Sequence, residues 1–326
     1  SGPGSFLSDF TQYRPILFNL TPNWAIRFTS SSNQYLQILT VAGFFGLASY
    51  LYWLARQSQM IIKSLNSKES LPIMVGVGLI TLMFVQIWLP LTAVTLGLMF
   101  ILSALLVLAH HQAGLSTVHE STLDIVAATS SGHSPILPWT IFILVLLIFC
   151  PSVYLVGRAY LAEVLFQRSL LAASANDGKK TYDTLIATVQ ANPYRDTYRV
   201  AYSQTNMLIA NTLASNKNIS DVDRQTVTQL VQQAIREAKN AVALNPTKVT
   251  NVENLASIYR NLLNFAQGAD AWTIAAYQQA AVLDPVNPNL RIALGGVFFA
   301  QKNYDEAVRI FQTAVDLKPD LPNAHY

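Results

Sequence analysis

Four apolar stretches, residues 35–56, 71–89, 91–109 and 136–157, approach the roughly 20 residues at about 1.5 Å rise that a helix needs to cross a bilayer core. The charges are distributed to match. Residues 1–157 hold nine of the chain's 39 Asp, Glu, Lys and Arg side chains, and the rest of the chain holds thirty. The overall 12% charged content therefore averages two regions shaped by different solvents, since soluble domains carry about a quarter. In hydrocarbon every backbone polar group must be satisfied within its own segment, so all four stretches are expected to be helices. Pro90 falls between the second and third, where a missing N–H costs least, and predicts a tight hairpin there.

Aromatic residues mark the edges of these stretches. Tyr50, Tyr52 and Trp53 lie near one end of the first, Trp88 at the hairpin tip, and Trp139 and Tyr154 flank the fourth. Arg56, Lys63 and Lys68 cluster around the short loop expected at residues 57–70, while the hairpin tip carries no Lys or Arg. Positive-inside weighting puts residues 57–70 in the cytoplasm. Residues 1–34 and everything after 158 then lie outside, and residues 110–135 inside. The chain opens on Ser1 without the basic and apolar regions of a signal peptide, and it stops after Lys318-Pro319 as if a further helix were to follow. It reads as a fragment open at both ends.

Cys150 is the single cysteine, so no disulfide can form within the chain. A net charge of +3, with basic residues scattered among acidic ones, argues against a nucleic-acid partner. His110, His111, His119 and His133 have no pair at the i, i+4 spacing of a helical metal site, and no Walker loop, dinucleotide fingerprint or His-Glu-x-x-His occurs. No cofactor or metal is expected.

From Arg158 onward the pattern changes to amphipathic helices in pairs, punctuated by Asn192-Pro193, Asn245-Pro246, Asp284-Pro285 and Lys318-Pro319. A proline cannot continue a helix, so each closes one pair and opens the next. The prolines converge on a 34-residue spacing, and Leu294-Gly295, Phe298, Ala307, Phe311, Ala314 and Pro319 fall where a tetratricopeptide repeat needs small, aromatic or terminating residues. Ala234, Ala238, Ala241 and Pro246, and then Tyr277, Ala280 and Pro285, repeat those offsets. Asn303 with Glu306, and Ser220 with Asp223, are expected caps. Residues 190–326 thus resemble a tetratricopeptide array, which implies a stacked superhelix with a concave face for peptide or protein partners, or else a rigid spacer. The pair at about 159–192 matches poorly and reads as a divergent first unit fused to the fourth span.

Residues 1–34 are polar, aromatic and lightly charged. Gly2 and Gly4 would allow a tight turn with close backbone approach to a ligand, and Arg14 and Arg27 offer planar forks suited to phosphate or diphosphate. The same arginines could simply meet lipid phosphates. Asn33-x9-Gly43-x-x-Gly46, with the upstream Gly2-Pro3-Gly4-Ser5-Phe6, resembles signatures of the O-antigen ligase and polymerase family of membrane glycosyltransferases. That resemblance implies a protein of the bacterial inner membrane that moves glycan from an undecaprenyl diphosphate carrier to an acceptor hydroxyl, with an extracytoplasmic repeat domain. It also implies that Arg14, Arg27, Gly2 and Gly4 bind the donor and that Asn33 orients donor or acceptor.

Ser32 stands where the family typically has His, and a hydroxyl is a poor base at neutral pH. Either another group is the base, with Asp9 the nearest carboxylate, or the donor supplies most of the driving force, or catalysis has been lost. Asn33 also sits where a helix N-cap belongs. Gly43 and Gly46 are expected to form a small-residue stripe against a neighbouring helix.

The sequence therefore predicts an all-α chain: a loop at 1–34, a transmembrane region of about four helices at 35–157, and a tetratricopeptide α-solenoid at 158–326. Its expected partners are membrane lipid, a lipid-linked glycan and a peptide or protein. The competing reading is a non-catalytic, membrane-anchored tetratricopeptide scaffold.

Overall fold

The computed structural model describes residues 2, 4–67, 69–115, 136–215, 220–263 and 265–325. Every regular element among them is helical. The chain divides into two compact units, Ser1–Phe10 with Ile26–Ile125, and Thr11–Ala25 with Val126–Tyr326. The segment Thr11–Ala25 thus belongs with the repeats rather than with the helices that flank it in sequence.

The first unit is built on α2 (Gln34–Leu65), α3 (Ser70–Val85) and α4 (Ala93–Gln112), preceded by α1 (Phe6–Tyr13), which runs across the division between units. Leu54, Met60 and Ile61 of α2, Leu79 of α3, and Met99 and Leu106 of α4 form its core. The hairpin expected at Pro90 is present, and Gln34 closes it. The backbone N–H of Gln34 donates to Gln86 O at 3.1 Å, and its side-chain Oε1 accepts from Leu91 N–H at 2.8 Å. Lower in the bundle Ser64 Oγ meets His110 Nε2 at 2.7 Å.

Two boundaries differ from expectation. Residues 57–65 are not loop, because α2 continues through them to Leu65 and packs Met60, Ile61 and Ser64 inward. The second stretch forms a helix of only 16 residues, about 24 Å long against a core of about 30 Å, and the Gln86 side chain at its end meets Tyr50 and Met99. Three helices, Gln34–Leu65, Ala93–Gln112 and Trp139–Ser174, are long and apolar enough to cross a membrane. The glycine pair also differs. Gly43 adopts φ +69°, ψ −168°, a conformation closed to side-chain-bearing residues, and breaks α2 there. The break brings Ala42 Cβ against the place where a Gly46 Cβ would stand, while nothing lies within 4 Å at Gly43. The two glycines accommodate a kink rather than a helix partner.

The second unit begins with α5 (Ile136–Ser174), a single helix of 39 residues with Pro151 inside it. Every residue from Trp139 to Gly157 is exposed, the profile of a helix apolar on all sides. Beyond that, Ala162, Ser169 and Ala172 turn inward against α6 (Gly178–Ala191), so one helix serves as both apolar rod and first repeat helix. The pairs α7 (Asp196–Ala214) with α8 (Asp221–Leu244), α9 (Val249–Arg260) with α10 (Ala269–Leu283), and α11 (Pro288–Ala300) with α12 (Tyr304–Leu317) follow. The wide first proline spacing has a simple origin: α7 and α8 are 19 and 24 residues long, against 13 and 14 for α11 and α12. Ser220 Oγ accepts from Asp223 N–H at 3.1 Å and Asn303 Oδ1 from Glu306 N–H at 3.4 Å, the expected caps.

Small residues set the pair spacing. Ala234, Ala238, Ala241, Ala280 and Ala314 have no exposed surface, and Gly295 lies under the Phe311 ring. A Cβ at Gly295 would sit 2.6–3.0 Å from three ring carbons of Phe311. Gly295→Ala is expected to destabilise the last repeat by about 1–3 kcal/mol through overpacking, read as a lower thermal midpoint. Gly296→Ala, where nothing lies within 4 Å, should leave the midpoint unchanged or higher.

Candidate functional site

Where successive repeats meet, their closing turns form a polar row. Asp196 at the start of α7 accepts from Lys248 Nζ at 2.9 Å and from Asn251 Nδ2 at 2.8 Å, and Asn251 Nδ2 also donates to Ala241 O at 3.0 Å. These contacts lash the turn after α8 to the repeat before it. Burial alone would push the Asp196 carboxyl up, but the hydrogen bonds from Asn251 and Lys248, with the lysine's charge, outweigh it and hold it below the usual range.

At the last two repeats the same job is done by residues 11–25. Arg14 Nη2 lies 3.1 Å from Asp284 Oδ1, with side chains 2% and 0% exposed, and Arg14 Nη1 donates to Trp24 O at 2.9 Å. Asn19, in the 3-10 turn Ile16–Leu20, donates through Nδ2 to Val286 O at 2.8 Å and to Leu317 O at 3.0 Å, bridging two successive turns. Lys318 Nζ returns a bond to Asn19 O at 2.8 Å and stands 5.0 Å from the centre of the Trp24 ring. Residues 11–25 are a strap across the closing turns. Asp284 and Lys318, which read in sequence only as the residues before terminating prolines, are its anchors.

The residues singled out in the loop are therefore divided. Gly2, Ser5 and Asp9 are brought together: Gly2 N–H donates to Ser5 Oγ at 2.8 Å, and Ser5 Oγ donates to Asp9 Oδ2 at 3.1 Å. Gly4, with φ +83°, makes the turn that allows this. Asn33 caps α2, its Oδ1 accepting from Leu36 N–H at 2.9 Å, and Ser32 beside it is exposed. Arg27 is half-buried in the first unit, whereas Arg14 belongs to the second and is engaged with Asp284. An arginine so committed has its charge neutralised internally, so its geometry is that of a structural anchor.

A second candidate lies between α7 and α9, the first helices of adjacent pairs. Val200, Gln204, Met207, Leu208 and Asn211 of α7 face Glu253, Asn254, Ser257 and Ile258 of α9 across a groove of about 540 Å³. Its amides are oriented by hydrogen bonding. The Ser203 hydroxyl donates to Val200 O at 2.8 Å, so toward Asn254 it can only accept, and Asn254 Nδ2 donates to it at 2.8 Å. This fixes Asn254 with Oδ1 as a buried acceptor that nothing among the described residues satisfies. Glu253 is the one charged residue in the groove lining. Sequence reasoning located the concave face but named none of these residues, because polar residues on an amphipathic helix look the same whether they face bulk water or a groove.

The second unit is a tetratricopeptide-type α-solenoid, by its helix pairs, small-residue seams and proline-closed turns. No protein-family model matches the chain, and no curated protein does. Among solved structures, it is similar to MamA (18% identity, TM-score 0.38, covering 48% of this chain and 77% of that one). It is also similar to a thermophilic tetratricopeptide protein of Thermus thermophilus (17%, 0.41, 50% and 77%). A further likeness is to YrrB, described as a tetratricopeptide protein with an unusual peptide-binding site (13%, 0.28, 49% and 88%). Scores this low add no argument to the repeat geometry.

Two outcomes follow from the polar row. Arg14→Ala should destabilise the last two repeats by about 3–5 kcal/mol, because it strands a buried carboxylate, while replacing Arg14 and Asp284 together with apolar residues should cost much less; hydrogen exchange across residues 281–325 reads both. For Asp196 the folded pKa lies below the unfolded value of about 3.9, so its stabilisation is complete above that value and is lost as pH falls through the folded one. Denaturation curves between pH 7 and pH 3 should accordingly be flatter for Asp196→Asn than for the parent chain.

Proposed function

We propose that the chain is a membrane-anchored tetratricopeptide scaffold whose α7–α9 groove binds an extended peptide segment of a partner protein. The observation that supports this best is Asn254, a groove-lining carboxamide held by Ser203 whose buried Oδ1 has no donor among the described residues. A peptide N–H supplies such a donor. Leaving a buried acceptor unsatisfied costs about 1–3 kcal/mol, and a bound backbone amide would recover it. Met207, Leu208 and Ile258 offer apolar contact for an aliphatic side chain, and Glu253 favours a cationic one nearby.

Anchoring rests on α2, α4 and α5, each long and apolar enough to cross a bilayer, with the shorter apolar α3 as a fourth crossing where the bilayer thins around it; four crossings return the chain to the side on which residues 11–25 meet the repeats. We place the repeats on the extracytoplasmic side of a bacterial inner membrane, following the clustering of Arg56 and Lys63 on the other side of α2. Glycan transfer from an undecaprenyl diphosphate carrier is the weaker reading. Arg14 is paired with Asp284 and Asn33 is occupied as a helix cap, so two of its proposed participants already have structural work.

The test is an array of random dodecapeptides probed with the full chain in nanodiscs. Sequences carrying Lys or Arg beside an aliphatic residue should be enriched, and Asn254→Ala or Glu253→Ala should weaken them about tenfold, a loss of about 1.4 kcal/mol. Val282→Ala, on an exposed side chain outside the groove, should change nothing. Absence of enrichment, or binding indifferent to both groove substitutions, removes the proposal.

A further inference from the structure

The strap has a second face. Tyr13 ends α1, Ile16, Leu17 and Leu20 lie in the 3-10 turn that follows, and the four are 75%, 49%, 70% and 69% exposed. Arg14 and Asn19, which hold the repeats, are 6% and 0% exposed. The contacts to the repeats are an ion pair, hydrogen bonds and a cation–π contact. Holding the repeats therefore leaves these four large apolar side chains uncovered, and so many exposed apolar side chains in one eight-residue segment mark an interaction surface.

What covers it is indicated by its place in the chain. The strap leaves the unit that contains α2 and α4 after Phe10 and rejoins it at Ile26, and α2 begins at Gln34. Between them Ile26 and Phe28, both exposed, flank Arg27. Aromatic and cationic residues mixed with aliphatic ones just before a membrane helix are the composition of the membrane–water interface.

We propose that the strap is a two-faced anchor: Tyr13, Ile16, Leu17 and Leu20 lie in the interfacial region of the bilayer, while Arg14 and Asn19 grip the closing turns of the last two repeats. The occupant of the apolar face is thus a lipid surface, and the inference rests on the reading of α2, α3, α4 and α5 as membrane helices, an even number that keeps the strap and the repeats on one side. The repeat array is then fastened to the membrane twice, by α5 at its start and by the strap at its end. The α7–α9 groove lies between the two fastenings in sequence, which limits how far the array can change pitch when a partner enters it.

Spin labels test this in the full chain. In a Cys150→Ser background, Leu17→Cys and Leu20→Cys are labelled in nanodiscs of phosphatidylethanolamine and phosphatidylglycerol, with Ile101→Cys on α4 as the lipid reference and Asp305→Cys as the water reference. Positions 17 and 20 are expected to relax faster with oxygen than with a water-soluble nickel chelate, as position 101 does. Nickel-dominated relaxation at 17 and 20, matching position 305, would overturn the inference, and so would exclusion of both reagents, which signifies a protein cover. Should position 101 itself prove nickel-accessible, the membrane reading fails and the strap proposal falls with it. Labels at 17 and 20 project from the strap's exposed face, so the grip of Arg14 and Asn19 is preserved.

Discussion

The structure depends first on a backbone constraint. A helix crossing hydrocarbon must keep all its hydrogen bonds internal, and nothing obliges it to stop where the lipid ends. In α5 it does not stop: the run that begins at Ile136 continues to Ser174, changing from an all-round apolar surface to one that buries Ala162, Ser169 and Ala172 against α6. The first repeat is therefore oriented by a rigid rod, without a linker. In the later pairs buried alanines, and Gly295 beneath the Phe311 ring of its own pair, let the helices approach closely.

The row of closing turns is the second organising feature. A turn that ends in proline leaves helix C-terminal carbonyls without helical partners. Asn251 helps meet this need between α8 and α9 by donating to Asn245 O, and Asn19 repeats the solution at the far end by donating to Leu317 O. The chain thus meets a recurring backbone requirement with the same chemistry twice, once from inside the array and once from the strap. This explains why a segment close to the N-terminus packs with residues some 270 to 300 positions later.

In the function proposed above, membrane contact and partner binding separate along these lines. Apolar surface is concentrated on α2 to α5 and on the outer side of the strap, whereas the α7–α9 groove is rich in amides, with one carboxylate among its lining residues. Lipid rewards the first and a polypeptide backbone rewards the second. An array held at both ends, as proposed, with an amide-rich groove between them would offer binding energy without first having to order its own domains.

Helical class, the Pro90 hairpin, the proline-closed repeats and the caps at Ser220 and Asn303 were legible in the sequence, because each depends on residues within a few positions of one another. The spacing of Leu294-Gly295, Ala307 and Phe311 likewise disclosed how the last pair would pack. The role of Arg14 was not legible: a guanidinium suited to a phosphate is equally suited to a carboxylate, and only the fold brings Asp284 beside it. Gly43 and Gly46 have the spacing of a packing stripe, yet a positive φ at Gly43 makes them a kink. Asn254 acquired its orientation from Ser203, 51 residues earlier. Sequence alone determined what is local, the periodicity and the breakers. Tertiary structure decided which distant charge or amide each polar side chain would meet, because hydrogen bonding and ion pairing depend on separation in space and carry no trace in sequence spacing.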